Sequence, residues 1–329
     1  MTIRELPTIE ELKWNELALH PLQSYAWGVI REKTGVKVVR FGCFEDEQLK
    51  DVYQMTLHPV PHTSYAIGYI PRSRMPSSAF LNYLRDYSRR YKIICITFEP
   101  EAKEGVAVPA ELTASAHPLF YKWTRVIDLS KSIEELKKDL EGRTRYNVGL
   151  AERKGVTVTE ENTPDGFETF YTLFSVTTKR QHFGGHTKHY HETIWNIFSQ
   201  QGVSHVLVAR YEGRPLAACE LFLFKNVLYY TYAGSLDEDR SVKAMNALMW
   251  GVIEFGKAHG AQSLDLWGIA PPDDSSSKSE WAGFSDFKKG YGGEAVPMCG
   301  SFDLVVFPLL YRLYVAGNAL RKGISRLVG

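Results

Sequence analysis

The sequence is poor in the features that usually announce a protein's setting. Cysteine is scarce, four residues in 329, at positions 43, 95, 219 and 299. These form no CxxC pair and no metal-like cluster, and their spread suits reduced thiols rather than a disulfide framework. Charge of one sign is lacking too. The formal net charge is +1, which excludes a global polycation and confines any nucleic-acid contact to a local patch. No run approaches the roughly 18 apolar residues of a membrane-spanning helix. The opening Met1-Thr2-Ile3-Arg4-Glu5-Leu6-Pro7 has no apolar stretch of the secretory kind. A cytoplasmic protein, soluble or at most peripheral, is expected. The remaining composition is ordinary for a globular chain, 44% hydrophobic and 23% charged. At this length one core is seldom enough, so two domains are expected.

The chain then presents one order of elements twice. In the first half a helix is expected around Gln23 to Lys33. Strand-like runs follow at Val36 to Phe44, Asp51 to Leu57 and Tyr65 to Ile70. Pro76-Ser77-Ser78 reads as a helix start, and Phe80, Leu84, Tyr87 and Tyr91 fall on one helical face. A buried strand, Ile93 to Phe98, closes the unit. In the second half Phe167, Phe170, Tyr171 and Phe174 mark an amphipathic helix. Val206 to Tyr211, Leu216 to Phe224 and Val227 to Ala233 read as a meander with turns at Glu212–Pro215 and Lys225-Asn226. Met245, Leu248, Met249 and Val252 mark a helix, and Leu264 to Trp267 a strand.

A meander feeding a strand–helix–strand crossover is the core of the GNAT acyltransferases. The expected fold is therefore α/β (α+β), with two tandem GNAT-like domains of mixed sheets flanked by helices. Domain 1 is placed at 1–128, completed by 303–329, and domain 2 at 129–302. The charged stretch Ser132 to Lys154 is expected to be a helical bridge. A coenzyme A site needs a glycine-rich turn whose backbone amides approach the pyrophosphate. The matching stretch, Asp237-Glu238-Asp239-Arg240-Ser241-Val242-Lys243-Ala244, has no glycine and three acids, and Arg72 to Ser78 also lacks glycine. No cofactor is expected.

Several ordered motifs resemble the Fem family. These are Leu22-Gln23-Ser24-Tyr25-Ala26-Trp27-Gly28, Tyr229-Tyr230-Thr231-Tyr232-Ala233-Gly234-Ser235, and Leu264-Asp265-Leu266-Trp267-Gly268-Ile269. After the last come a polar loop through Ser275–Lys278 and then Gly283-Phe284-Ser285-Asp286-Phe287-Lys288-Lys289-Gly290-Tyr291-Gly292-Gly293. The chain is similar to the smaller members, since no heptad run long enough for a coiled-coil arm is present. The resemblance implies transfer of an amino acid from aminoacyl-tRNA to the peptide stem of a peptidoglycan precursor, UDP-MurNAc-pentapeptide or lipid II. It places the protein in the cytoplasm, at the inner membrane face for a lipid-linked acceptor, and a monomer is expected.

The resemblance also implies roles. Phe287 stacks near the tRNA acceptor end and Lys288 supports the reacting ester. The chemistry agrees, because amine attack on an ester builds an oxyanion that a fixed cation stabilises. The alternative is a core Phe beside a solvated Lys. Tyr232 is placed on the precursor, and simple alternation puts Tyr230 on the same strand face. Arg31, with Lys33 as a substitute, stands where the family holds a diphosphate by a lysine. Arg72 lies on an arginine-containing turn. Arg180 is directed at the precursor, or else Lys179-Arg180-Gln181-His182 is a cation-rich helix end. Glu99, before Pro100, matches a strand-end Asp-Pro, where a carboxylate orients or deprotonates the amine; a plain turn is the alternative.

The HxxHxH run at His186, His189 and His191 does not put three imidazoles on one helical face, so solvated histidines are preferred to zinc. Arg143, Arg145, Arg153 and Lys154 touch a tRNA backbone or form a solvated face. The basic tail through Leu309, Arg312, Leu313, Arg321, Lys322 and Arg326 packs on domain 1 or touches a membrane surface. The rival functions are an acyl-CoA N-acyltransferase, a tRNA-dependent peptide-bond former in natural-product biosynthesis, and a non-catalytic binding protein.

Overall fold

The structure is a computed structural model and describes residues 1–181, 186–272 and 282–328, with side chains from 283 to 318 in the last segment. His182, the loop at Ser275–Lys278 and the side chains of Arg321, Lys322 and Arg326 lie outside the described residues.

In chain order the first elements are β1 (Thr2–Glu5), α1 (Glu11–Leu17), α2 (Tyr25–Lys33), β2 (Lys37–Glu45), β3 (Gln48–Pro59), β4 (Ala66–Pro71), α3 (Ser78–Tyr91), β5 (Ile93–Glu99) and β6 (Thr113–Ala114). Next come β7 (Trp123–Asp128), α4 (Ile133–Asp139), α5 (Gly142–Arg153), β8 (Thr157–Glu160), α6 (Pro164–Arg180), α7 (Lys188–Gln200), β9 (Ser204–Tyr211), β10 (Arg214–Phe224) and β11 (Val227–Ser235). The chain ends with α8 (Ala244–Ala258), β12 (Ser263–Ile269), α9 (Ala282–Lys289), β13 (Glu294–Pro297), β14 (Phe302–Val305) and α10 (Pro308–Val328).

These elements form two compact units, Met1–Lys122 with Pro297–Gly329, and Trp123–Val296. The first holds a seven-stranded sheet in the order β1-β2-β3-β4-β5-β14-β6, the second one in the order β13-β7-β12-β11-β10-β9-β8. Each contains an antiparallel meander, β2-β3-β4 or β9-β10-β11, whose last strand pairs in parallel with the strand across one helix, β5 or β12. The far edge of that strand takes an antiparallel partner from a distant part of the chain, β14 on β5 and β7 on β12. The divisions fall N-terminal to 128/129 and 302/303, because the ladder of Trp123–Asp128 runs to β12 of the second sheet.

Ser132 to Lys154 is not a bridge. Leu136, Leu140, Val148 and Ala151 enter the second unit's core, so the stretch is two amphipathic helices whose charged faces dominate the sequence. A capping box of Ser132 and Glu135 starts α4. Arg145 donates to the carbonyls of Lys137, Lys138 and Leu140 at 2.8–3.0 Å, closing the end of α4 rather than facing a nucleic acid.

The motif at 22–28 builds the first unit. Buried Gln23 donates to the carbonyls of Gln54 and Pro71 and accepts from the Gln54 amide at 2.8 Å. Ser24 caps α2 through the Trp27 amide. A Cβ at Gly28 would stand 2.1 Å from Gln54 Oε1 and 2.2 Å from Arg40 Nη2, so a side chain there would have to displace both tips. These residues seat α2 on the meander and thereby fix where Arg31 emerges.

Candidate functional site

In the second unit the decisive group is Lys288. It is 8% exposed, and its Nζ donates to the Gly268 carbonyl at 2.8 Å. Burial pushes its pKa down to about 8, while the Asp265 charge pulls it back up. The solvated-lysine alternative therefore fails. Helix α9 docks on the end of β12 by this bond and by the Ala270 amide, which donates to Ser285 Oγ at 2.8 Å. Phe287 is half-buried against the core with its ring edge-on to Tyr291, centroids 5.2 Å apart. Tyr291 is buried and exchanges hydrogen bonds with Asn246 at 3.0 and 3.2 Å.

The strand end that receives Lys288 is bent. Pairing with β7 shifts between Asp265 and Gly268, and Trp267 has φ +64°. Asp265 Oδ1 accepts from the Trp267 amide at 2.7 Å and from the Thr124 hydroxyl. Beyond Asp265 the parallel ladder with β11 stops.

Tyr230 and Tyr232 do not share a face. Across the ladder Leu221 is paired with Tyr230 and Glu220 with Tyr232, so Thr231 is an extra residue on β11. Such a bulge reverses the alternation. Tyr230 is buried against the α8 side of the sheet, its hydroxyl without a hydrogen-bond partner. Tyr232 instead packs with Phe174 and with His191, whose ring is 4.7 Å away and nearly perpendicular.

His191 corrects the expectation of solvated histidines. It is fully buried, both ring nitrogens lack hydrogen-bond partners, and burial holds its pKa down at about 4. On the same side lies Glu220, also fully buried. It accepts from Ser204 Oγ at 2.8 Å, while Oε2 has no partner, and burial raises its pKa to about 8. The readable signal for Glu220 was one carboxylate inside the apolar run Leu216–Phe224. Among the described residues no group of three or more His, Cys, Asp or Glu could hold a metal ion.

Arg180 is engaged within the protein. It donates to the Ser235 carbonyl and pairs with Asp237, both at 3.0 Å. Asp237 also meets Arg240, and Asp239 meets Arg214, at 2.6 Å each. The acids of the 237–244 turn are thus neutralised locally.

The first unit gathers Arg31, Arg72 and Glu99. Glu99 is buried and accepts from the Tyr69 hydroxyl, from the Leu119 and Phe120 amides at 2.7 and 3.0 Å, and from Ser301 Oγ at 2.6 Å. Four donors on one carboxylate make it a structural hub, not a group open to an incoming amine. Arg72, at φ +47°, pairs with Glu101 at 3.2 Å and lies over the Phe120 ring at 4.4 Å. Burial chiefly, with the Arg31 charge second, lowers the His58 pKa. Tyr69 is pushed well up by burial and Glu99, against the pull of Arg72 and Arg31. Arg31, His58, Tyr69 and Arg72 therefore share one neighbourhood. Lys33 is exposed and sits two residues after Arg31, about 200° around the helix, so it does not substitute for Arg31.

The model of the FemAB family matches residues 111–213 and 209–318. The chain belongs to the FemAB family. Lipid II:glycine glycyltransferases of Staphylococcus epidermidis and Staphylococcus aureus are each 21% identical to it over 89% of this chain and 89% of theirs. A crystal structure of FemX superposes with a TM-score of 0.84 at 19% identity, over 96% of this chain and 100% of that one. A tandem GNAT protein from the clavulanic acid biosynthesis pathway gives a TM-score of 0.54 at 9% identity, over 92% and 98%. The fold of this FemAB-family chain is thus two GNAT-like units in tandem.

Proposed function

We propose that this FemAB-family chain is an aminoacyltransferase that moves an amino acid from aminoacyl-tRNA to the peptide-stem amine of a peptidoglycan precursor, UDP-MurNAc-pentapeptide or lipid II. The observation that carries the reading is Lys288, a lysine held in a buried site by a backbone carbonyl at a bent strand end. Family membership and the staphylococcal glycyltransferases supply the substrate class.

In this reaction the stem amine attacks the ester carbonyl carbon and the carbonyl electrons move onto oxygen. Collapse of the tetrahedral centre breaks the bond to the terminal ribose, whose oxygen takes up a proton while the new amide nitrogen loses one. Lys288 stabilises the oxyanion, and the exposed part of Phe287 stacks on the terminal adenine. Arg31 holds the precursor's diphosphate, and Tyr232 hydrogen-bonds its peptide. Arg72, Glu99, Arg180 and Tyr230 are given no contact, since their polar groups are engaged or buried within the fold.

A lipid-linked acceptor requires contact with a membrane surface, whereas a UDP-linked one does not. Helix α10 packs Leu310, Tyr311 and Tyr314 against Ile67, Ile94 and Cys95. It leaves Leu309 and Leu313 exposed, and that face is assigned to peripheral membrane contact. No helix among the described residues is long and apolar enough to cross a membrane.

The test is incubation with charged tRNA and either UDP-MurNAc-pentapeptide or lipid II in vesicles, read by mass spectrometry and by pelleting with the vesicles. A mass increase of one amino-acid residue on either acceptor is expected, with a rate loss of about 10²–10³ in Lys288→Met. Full transfer by Lys288→Met would remove the assignment, and a chain left in the supernatant would remove the membrane contact.

A further inference from the structure

The Gly268 carbonyl that holds Lys288 is itself placed by a residue of β12. We propose that Asp265 is the positioning residue for Lys288, one carboxylate oxygen fixing the bend that aims the Gly268 carbonyl at Nζ and the same carboxylate setting the field around the ammonium. This deepens the proposed function and rests on it for its consequence, though not for its test.

The geometry carries the inference. A non-glycine residue at φ +64° is disfavoured by contact of its Cβ with the backbone, and for a bulky side chain such as Trp267 the strain is larger. Something must hold it there. Asp265 Oδ1 does so by accepting the Trp267 amide two residues on, the local turn that aspartate forms with its own backbone. The Thr124 hydroxyl donates to the same oxygen from the neighbouring strand, so the carboxylate is itself oriented. The bend carries the next carbonyl, Gly268, to 2.8 Å from Lys288 Nζ. A straight β12 would stay in register with β7, whereas the shift between Asp265 and Gly268 changes where that carbonyl points.

The electrostatics run the same way. Desolvation opposes the charge on Lys288, and the Asp265 charge supports it. Of the groups nearby, Asp286 and Lys289 on the same helix are exposed, and Tyr291 on the following turn is bonded to Asn246. Among the described residues Asp265 is therefore the carboxylate that supports the ammonium.

Two near-isosteric substitutions separate geometry from charge in the full-length chain. Asp265→Asn keeps an acceptor for the Trp267 amide and removes the charge. Asp265→Glu keeps the charge and moves the oxygen away from the amide. Titration of Lys288 by NMR of ε-13C-labelled lysine, assigned with Lys288→Arg, reads the protonation directly and needs no substrate. Asp265→Asn is expected to lower the Lys288 midpoint by about half a unit or more at nearly unchanged Tm. Asp265→Glu is expected to hold the midpoint near that of the parent and to lose Tm. An unmoved midpoint in Asp265→Asn, or the same loss of midpoint in both variants, would overturn the proposal. Because the readout is a titration, it stands even if the chain transfers no amino acid, and the transfer assay fails separately.

Discussion

A lysine ammonium taken out of water favours its neutral form, and Lys288 shows this at the one position where the proposed chemistry needs a cation. Its folded pKa of about 8 lies below the ordinary 10.5, so the charged fraction falls tenfold per pH unit above 8. If the cation stabilises the oxyanion, kcat/KM should decline above pH 8, while the attacking amine imposes the opposite limb at lower pH. In Lys288→Arg the guanidinium stays charged across this range, so the alkaline decline should disappear from whatever activity remains. A decline at the same pH in that variant would assign the limb to another group. Stability carries the converse sign. A depressed folded pKa contributes stability above pH 10.5 that is lost as pH falls to about 8. Lys288→Met should thus melt no lower than the parent at pH 7, even as its transfer rate collapses.

At the scale of elements, the close approach of β11 to α6 explains the Ala233-Gly234-Ser235 motif better than any ligand does. A Cβ on Gly234 would stand 2.3 Å from the backbone of Leu173 and Phe174. Thr177 then joins the two elements by hydrogen bonds with the Ser235 amide and carbonyl at 2.8 and 3.1 Å. Gly234→Ala should therefore destabilise by about 1–3 kcal/mol, because backbone cannot yield as a side-chain tip can. Gly149→Ala, mid-helix in α5 with only the mobile tip of Arg153 near at 3.2 Å, should stabilise by about 0.5–1 kcal/mol. Thermal melts of the pair check both signs; a neutral Gly234→Ala would mean that the strand and helix are not held this close. Periodicity made these elements readable, since a meander and an amphipathic helix declare themselves in a window of ten residues. The bulge at Thr231 did not declare itself. It depends on how β10 registers against β11, and one inserted residue was enough to send Tyr230 and Tyr232 to opposite faces. The Phe287-Lys288 pair was readable as a motif, whereas its burial depended on a carbonyl twenty residues earlier.

The whole molecule repeats one plan, and the repeat was visible because each half spells the same order of elements. The return of the segment from 303 to the first domain was expected too, whereas β7, placed by sequence in the first domain, was not recognised as a strand of the second sheet, since it precedes that unit's meander. The cores so formed also enclose titratable groups, and these set how stability varies with pH. Glu220 has a folded pKa of about 8 against an ordinary 4.5. Its contribution is complete below pH 4.5 and is lost as pH rises to 8. His191, at about 4 against 6.5, contributes fully above pH 6.5 and loses its contribution as pH falls to 4. Between 4.5 and 6.5 the two slopes oppose each other, each about 1.4 kcal/mol per pH unit by proton linkage. Stability should then be nearly level across that window and fall on either side of it, from Glu220 above and from His191 below. Lys288 adds nothing there, its own slope beginning above pH 8. Urea unfolding at pH 5.5 and 7.5 should show the parent weaker at 7.5, Glu220→Gln reversing that difference because His191 alone then adds stability up to pH 6.5, and His191→Phe widening it while flattening the acid side. A Glu220→Gln protein that weakens between these pH values as steeply as its parent would mean that the buried carboxyl is already ionised in the fold.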